Sequence, residues 1–314
     1  MILVTGGSGY VGSKLVPMLA QRAPVRVLET MNFGNPIEGL PNVEFMQGDI
    51  RAFGDVRRAM EGVDAVVHLA GIVTDELVDM NHDYSNEVNV VAMLGLCEAA
   101  VAAGAKRFIY ASSSSVYGSQ PHVCDESTPP QPQTAYAFQK LAGEQILNKF
   151  KDNLWCFSVR CATCCGPAPR MRLDTIVNTF CAQAYFKGRI TVWGGQQHRS
   201  NIHVEDVGWL YKSLALDSLV NLPSGGMVNA VRGHHTAEEL AYMIADIIPS
   251  QVAVDSAKVD TRNYRMKSDM WRPAKSIQDA IKDNLAWFKA GNIKDVDDSI
   301  FYNTRRMAGV MERG

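Results

Sequence analysis

Ile2-Leu3-Val4-Thr5-Gly6-Gly7-Ser8-Gly9-Tyr10-Val11-Gly12 opens the chain as a short apolar run that breaks into glycines and resumes as a helix-patterned stretch. A strand, a glycine turn and a helix in that order predict a site where backbone approaches a diphosphate. Glycine permits the tight turn and the close approach, and the helix N-terminus supplies free N–H groups with a partial positive charge. Downstream, short apolar runs alternate with helix-patterned stretches, the mark of a parallel sheet covered by helices on both faces. Strands are expected at 2–5, 25–28, 43–47, 65–69, 107–112 and 155–160, with helices at 10–22, 54–61, 86–103 and 136–150. Pro17 is a misfit in the first helix and is expected to kink it. In 86–103, Val90, Met93, Leu94, Cys97 and Val101 recur at helical spacing as a core-facing stripe. The fold class is therefore α/β, a doubly wound parallel sheet.

Glu29 closes the second predicted strand. A carboxylate there accepts the hydroxyls of an adenosine ribose and repels a 2′-phosphate, so NAD is expected rather than NADP. Arg26 lies inside the strand, away from any such phosphate. Far downstream, Ser113 ends a predicted strand within Ala111-Ser112-Ser113-Ser114-Ser115-Val116-Tyr117-Gly118, followed by Tyr136 and Lys140. Residues four apart share a helix face. An ammonium beside a phenol, with a positively charged nicotinamide close by, lowers the phenol pKa towards the range a general base needs. Ser112 and Ser114 flank Ser113 as possible substitutes for its hydroxyl.

After Gly166 the texture changes. Pro167 to Arg172 is a break, then a helix is expected over 173–187, a strand over 190–193, and a helix from about 201 through Leu216. Thr236-Ala237-Glu238-Glu239 reads as a capping box opening a helix to Ile248. The predicted division is a cofactor domain at 1–165, joined by about 200–230, with a smaller substrate-binding region at 166–199 and 231–314. The last 20 residues carry no motif.

Composition narrows the function. The net charge of −2 gives no general attraction to nucleic acid, and no apolar run is long enough to span a membrane. The seven cysteines are odd in number and mostly sit in apolar segments. With a first strand that begins at once and no leader pattern, they suggest reduced thiols and a cytoplasmic location. Cys161-Ala162-Thr163-Cys164-Cys165 continues a buried strand with no histidine at ligand spacing nearby, so no metal is expected.

These elements together resemble the extended short-chain dehydrogenase/reductases of the NAD-dependent epimerase/dehydratase family, which act on nucleotide-linked sugars. The matching stretches are Gly6 to Gly12, Gly48-Asp49-Ile50, His68-Leu69-Ala70-Gly71, Ser114 to Gly118, Tyr136 with Lys140, Arg160 to Pro167, and Arg199 to Asp206. The resemblance implies that Gly6, Gly9, Tyr10, Val11, Gly12 and Glu29 hold NAD. It also implies that Asp49 and Ile50 flank the adenine, that Leu69, Ala70 and Gly71 line the cofactor, and that Tyr136 and Lys140 reach it. Ser113, Tyr136 and Lys140 would be catalytic. Ser113, Thr163, Arg172, Arg199 and Arg262 would meet the substrate, the last two arginines on its diphosphate. Arg170 and Arg172 either add charge there or lie at the surface. His203, Glu205 and Asp206 are expected to anchor a helix start. Relatives that dehydrate carry acidic residues after the catalytic hydroxyl, where this chain has Ser114 and Ser115, and Thr163-Cys164-Cys165 replaces a common asparagine motif. Pro169-Arg170-Met171-Arg172-Leu173-Asp174 resembles a subgroup linked to bacterial surface-polysaccharide sugars, including heptoses.

The expected activity is a nucleotide-sugar epimerase, foremost at C4, through a transient ketone. The alternatives are a net NAD-dependent dehydrogenase or reductase of such a sugar, nucleotide heptoses included, and a non-catalytic cofactor-bound regulator. Stretches 86–103 and 136–150 offer more apolar surface than one side of a sheet requires. In related enzymes such helices pair across a two-fold axis, so a homodimer is expected.

Overall fold

The computed structural model describes residues 1–216, 222–257 and 263–312. Its strands are β1 (Ile2–Thr5), β2 (Val25–Glu29), β3 (Val43–Gln47), β4 (Ala65–His68), β5 (Arg107–Ser113) and β6 (Trp155–Cys161). There follow β7 (Thr163–Cys165), β8 (Arg189–Trp193), β9 (His198–His203), β10 (Gly226–Ala230), β11 (Gly233–Thr236) and β12 (Gln251–Asp255). Seven form one parallel sheet in the order β10-β6-β5-β4-β1-β2-β3. Alternation along each strand sorts side chains to the two faces. Val4, Val27, Val67, Ile109 and Val159 pack with Leu15, Val16 and Leu19 of helix Gly12–Ala20 and with Val207, Leu210 and Leu214 of helix Val204–Leu216. Leu3, Leu28, Val66, Phe108 and Cys156 pack on the other face against Val56, Met93, Leu96, Cys97 and Leu147. Helix Gly12–Ala20 runs unbroken through Pro17.

The stripe expected in 86–103 is displaced. Helix His82–Asn86 passes through a π-turn, Glu87–Val91, into helix Ala92–Ala102. A π-turn adds a residue to one turn and shifts the phase of every later turn. Val88, Ala92, Met93, Leu96, Cys97 and Ala100 therefore face the core, while Val91 and Leu94 are exposed, as is Phe138 on helix Ala135–Asn148.

A second core joins helices Ile176–Lys187, Ala237–Ile247 and Ile277–Lys289 to the parallel pair β8–β12. The Thr236–Glu239 capping box is present. A small three-stranded sheet, β11-β9-β7, accompanies it. Among the described residues no helix is long and apolar enough to cross a membrane, and no His/Cys/Asp/Glu group could hold a metal ion.

Because all seven central strands are parallel, their C-terminal ends share one edge. Gly6, Glu29, Asp49, Leu69, Ser113 and Cys161 thus arrive at one crevice from six strands. Ligands bind outside the carboxyl ends of such strands.

Candidate active site

The crevice opens into a cavity of about 710 Å³ running from the glycine loop to Trp193. At one end the glycine loop is moulded by main-chain contact. Gly6 sits at φ +72° and a Cβ there would stand 2.7 Å from Ala70 N, while a Cβ on Gly12 would stand 2.5 Å from the Gly7 carbonyl. Helix Gly12–Ala20 has no side-chain cap. The N–H groups of Ser13 and Lys14 donate to the carbonyls of Gly9 and Val11, so a ligand at this helix start would meet the N–H groups of Tyr10 and Val11 just before it. Gly6, Gly9, Tyr10, Val11 and Gly12 all line the cavity.

Glu29 lies beside this turn. Its Oε2 accepts from Ser8 N at 3.3 Å and its Oε1 from Thr30 N at 3.0 Å, and burial raises its pKa against those bonds. Arg26 turns away from the cavity, donating to Glu44 Oε2 at 2.9 Å and to the carbonyls of Ala59 and Glu61. Asp49, Ile50, Leu69, Ala70 and Gly71 complete this end. Asp49 is paired with Arg51 at 2.8 Å, whose hydrogen bonds outweigh desolvation and hold the carboxyl below its usual range. The residues present accommodate an adenine dinucleotide: a glycine cradle, an uncapped helix start and a strand-end carboxylate, with no cation at Arg26 to take a 2′-phosphate.

Ser113, Tyr136 and Lys140 meet at the middle of the cavity. Ser113 Oγ accepts from Ser115 N at 3.2 Å and lies 3.0 Å from Ser115 Oγ, and it is near enough to the Tyr136 phenol to act on its pKa. Tyr136 stands in the first turn of helix Ala135–Asn148, whose start Thr134 caps by accepting from Ala137 N at 3.2 Å. One turn on, Lys140 Nζ lies 5.8 Å from the Tyr136 ring centroid and donates to the Ala111 carbonyl at 2.9 Å.

The fall expected for the phenol pKa calls for a positively charged nicotinamide as well as Lys140, and the protein's own groups strike a different balance. Burial raises the Tyr136 pKa above 10, with Ser113 and then Arg172 acting to lower it. Burial also pulls Lys140 from 10.5 down to about 8. The ammonium faces a carbonyl and its own charge is poorly supported, so the lysine alone does not make the phenol acidic. Ser112 cannot stand in for Ser113 either. Its Oγ donates to Glu144 Oε1 at 2.5 Å, and Glu144 forms a buried two-bond ion pair with Arg160 at 2.9 and 2.7 Å. Ser114 is buried.

Thr163, Arg172, Arg199 and Trp193 also line the cavity. Arg172 Nε donates to Asp174 at 2.8 Å. Arg199 is buried, and its guanidinium carbon is 5.8 Å from the Tyr264 ring centroid. Arg262 lies outside the described residues. Arg170 is no surface residue, being only 5% exposed and lining the cavity. His203 is absent from the lining; its Nδ1 accepts from Glu205 N at 3.0 Å and its Nε2 lies 3.2 Å from Asp283. Asp206 accepts from the main-chain N–H groups of Ala274 and Lys275. Both carry structure.

Sequence reasoning missed Phe33, Thr74, Asp75, Tyr264, Asn303 and Met307, all of which line the cavity. Thr74 gave no warning, yet it is held at φ +105° while its hydroxyl accepts from Leu77 N. A β-branched residue held at positive φ marks strain retained at a site.

Comparison with known proteins agrees with this geometry. The chain is 28% identical over 319 residues to a UDP-glucose 4-epimerase of Mycolicibacterium smegmatis, covering 91% of this chain and 98% of the relative. It is 25% identical over 316 residues to the dTDP-D-glucose 4,6-dehydratase of Mus musculus, covering 92% and 88%. The crystal structure of a Thermus thermophilus UDP-glucose 4-epimerase in complex with NAD superposes with a TM-score of 0.79 at 26% identity, covering 92% of this chain and 98% of that one. The profile of the NAD-dependent epimerase/dehydratase family matches residues 2–230, from β1 through β10. The chain belongs to that family, as an NAD-dependent epimerase or oxidoreductase of the extended short-chain dehydrogenase/reductase type.

Proposed function

We propose that this protein is a nucleotide-sugar epimerase acting at C4. The observation that carries the reading is the Ser113–Tyr136–Lys140 group at the C-terminal sheet edge, followed by the neutral Ser114 and Ser115. Bound NAD would supply a hydride acceptor that can return what it takes, so the cycle needs no outside oxidant.

Tyr136, as phenolate, takes the proton of the sugar 4-hydroxyl at its phenol oxygen and, as phenol, later gives it back; the positive charge of bound oxidised nicotinamide would add to that of Lys140 in favouring the phenolate. Ser113 accepts from Ser115 N, which fixes its position, and its own proton is free to donate to the phenol or to the substrate oxygen. Lys140, once a negative phenolate forms, supplies the nearby positive charge. Gly6, Gly9, Tyr10, Val11, Gly12, Glu29, Asp49, Ile50, Leu69, Ala70 and Gly71 hold the cofactor. Thr163, Arg172 and Arg199 hold the nucleotide sugar, with Arg262 assigned the same role on sequence alone. In this division of labour, 1–165 with about 200–230 carries most of the cofactor contacts, and 166–199 with 231–314 carries most of the substrate contacts. Neutral residues after Ser113 argue against loss of water, which needs a general acid/base pair near the sugar C5 and C6. The exposed Val91, Leu94 and Phe138 on adjacent helices support a homodimer, and seven free cysteines support a cytoplasmic site of action.

Incubation with UDP-glucose, followed by NMR of the anomeric and H4 signals, tests the activity. The expected outcome is inversion at C4 without change of mass. Tyr136→Phe should lower the rate about 10²–10⁴-fold with binding nearly intact. A stable product lighter by one water would refute the assignment.

A further inference from the structure

The end of the chain, which carries no motif, closes the cofactor end of the cavity. Helix Asn303–Met311 places Asn303 and Met307 in the lining. Arg306 Nε donates to the Asn32 carbonyl at 2.8 Å, Thr304 Oγ1 donates to Glu76 at 3.0 Å, and Asn303 N donates to Asp174 at 2.7 Å. The helix thereby ties the loop after β2, the helix Asp75–Met80 and the segment before Ile176–Lys187 into one wall.

Arg170 lies against this wall. Its guanidinium carbon is 3.9 Å from the Phe33 ring centroid, and its Nη2 donates to Asn303 Oδ1 at 2.5 Å. Its main-chain N donates to Ser13 Oγ at 3.2 Å, in the first turn of the glycine-loop helix. Its Nε is buried and has no acceptor among the described residues. Asp174, whose charge it feels, is bonded to Arg172. Burial, with Arg172 alongside, pushes its pKa down to about 9 despite the influence of Asp174, Tyr10 and Glu29. An enclosed cation with an unused donor is short of an anion.

We propose that Arg170 is a side-chain receptor for the diphosphate of the dinucleotide, held in place by the C-terminal helix so that the cofactor stays bound between turnovers. A guanidinium offers paired donors to phosphate oxygens. Its place, between the uncapped helix start and the surroundings of Glu29, is where the diphosphate must run if the ribose meets Glu29. The inference rests on the assignment of a dinucleotide to this cleft.

The test uses the full-length protein freed of any retained dinucleotide, with calorimetric titration by ADP-ribose and by adenosine, together with the dissociation rate of NADH followed by its fluorescence. Arg170→Met should weaken ADP-ribose about 10–100-fold, leave adenosine unchanged and speed NADH release. Asn303→Ala, which leaves the guanidinium but removes its anchor, should do the same more weakly, and it keeps the question open to test if Arg170→Met does not fold. Equal weakening of both ligands would mean a merely structural role and overturn the proposal, as would ADP-ribose binding as tight as in the wild type. A loss confined to 2′-phosphorylated dinucleotide would overturn it too. A wild-type protein that binds neither ligand would remove the cofactor assignment itself.

Discussion

Replacing Lys140 by Met should make the cofactor-free protein more stable while crippling its chemistry. Lys140 is 3% exposed, and its ammonium donates to the Ala111 carbonyl. The fall of its pKa from 10.5 to about 8, at about 1.4 kcal/mol per tenfold change in proton affinity, sets the cost of the buried charge at about 3 kcal/mol. Methionine keeps the apolar stem and removes the charge. It also strands the Ala111 carbonyl, which takes back about 1–2 kcal/mol. The net gain at pH 7 is about 1–2 kcal/mol, or about 2–4 °C in melting temperature for a chain of this size.

The sign of the pH dependence depends on which state holds the proton. Below pH 8 folded and unfolded chains are both protonated at Lys140, and the wild type bears the full penalty. Between about 8 and 10.5 the unfolded chain keeps a proton that the folded chain has released, so wild-type stability rises with pH relative to the variant. Thermal unfolding of both apoproteins at pH 7 and pH 9.5 checks this. The variant should lead at pH 7 and lose that lead at pH 9.5. A variant less stable at pH 7, or an unchanged difference between the two pH values, would refute the reasoning. Turnover and NAD affinity should both fall in the same variant.

Ser113→Ala should cost about 10–100-fold in kcat, because Ser112 is committed to Glu144; a wild-type kcat would show that another donor serves the phenol. Glu144→Gln should destabilise by about 3–5 kcal/mol by leaving the Arg160 guanidinium without its carboxylate, read as a lowered melting temperature, and the double change Glu144→Leu with Arg160→Met should recover most of it. Gly12→Ala should cost about 1–3 kcal/mol and abolish dinucleotide retention, since its Cβ meets main-chain atoms at 2.5–2.6 Å; NAD recovered from the denatured variant at wild-type yield would contradict the role given to the turn.

Local information in the chain suffices for much of this. The apolar runs of β1 to β6, the glycines after Thr5, the carboxylate at Glu29 and the i, i+4 pair Tyr136–Lys140 are all set by neighbours in sequence. Strand period, turn sterics and helix spacing act over a few residues, so they can be read without the fold. The phase of the helix after Asn86 is not legible there, because a π-turn leaves no mark in an apolar pattern. The protonation behaviour of Tyr136 and Lys140 is not legible either, because a pKa depends on burial, which the surrounding tertiary structure sets. Only the tertiary structure commits Ser112 to the Glu144–Arg160 pair, buries Arg170 against Phe33, and lays Asn303–Met311 along the cavity. Those contacts join residues far apart in the chain. Each is decided by packing and by the need to satisfy buried polar groups, and neither leaves a periodic trace in the sequence.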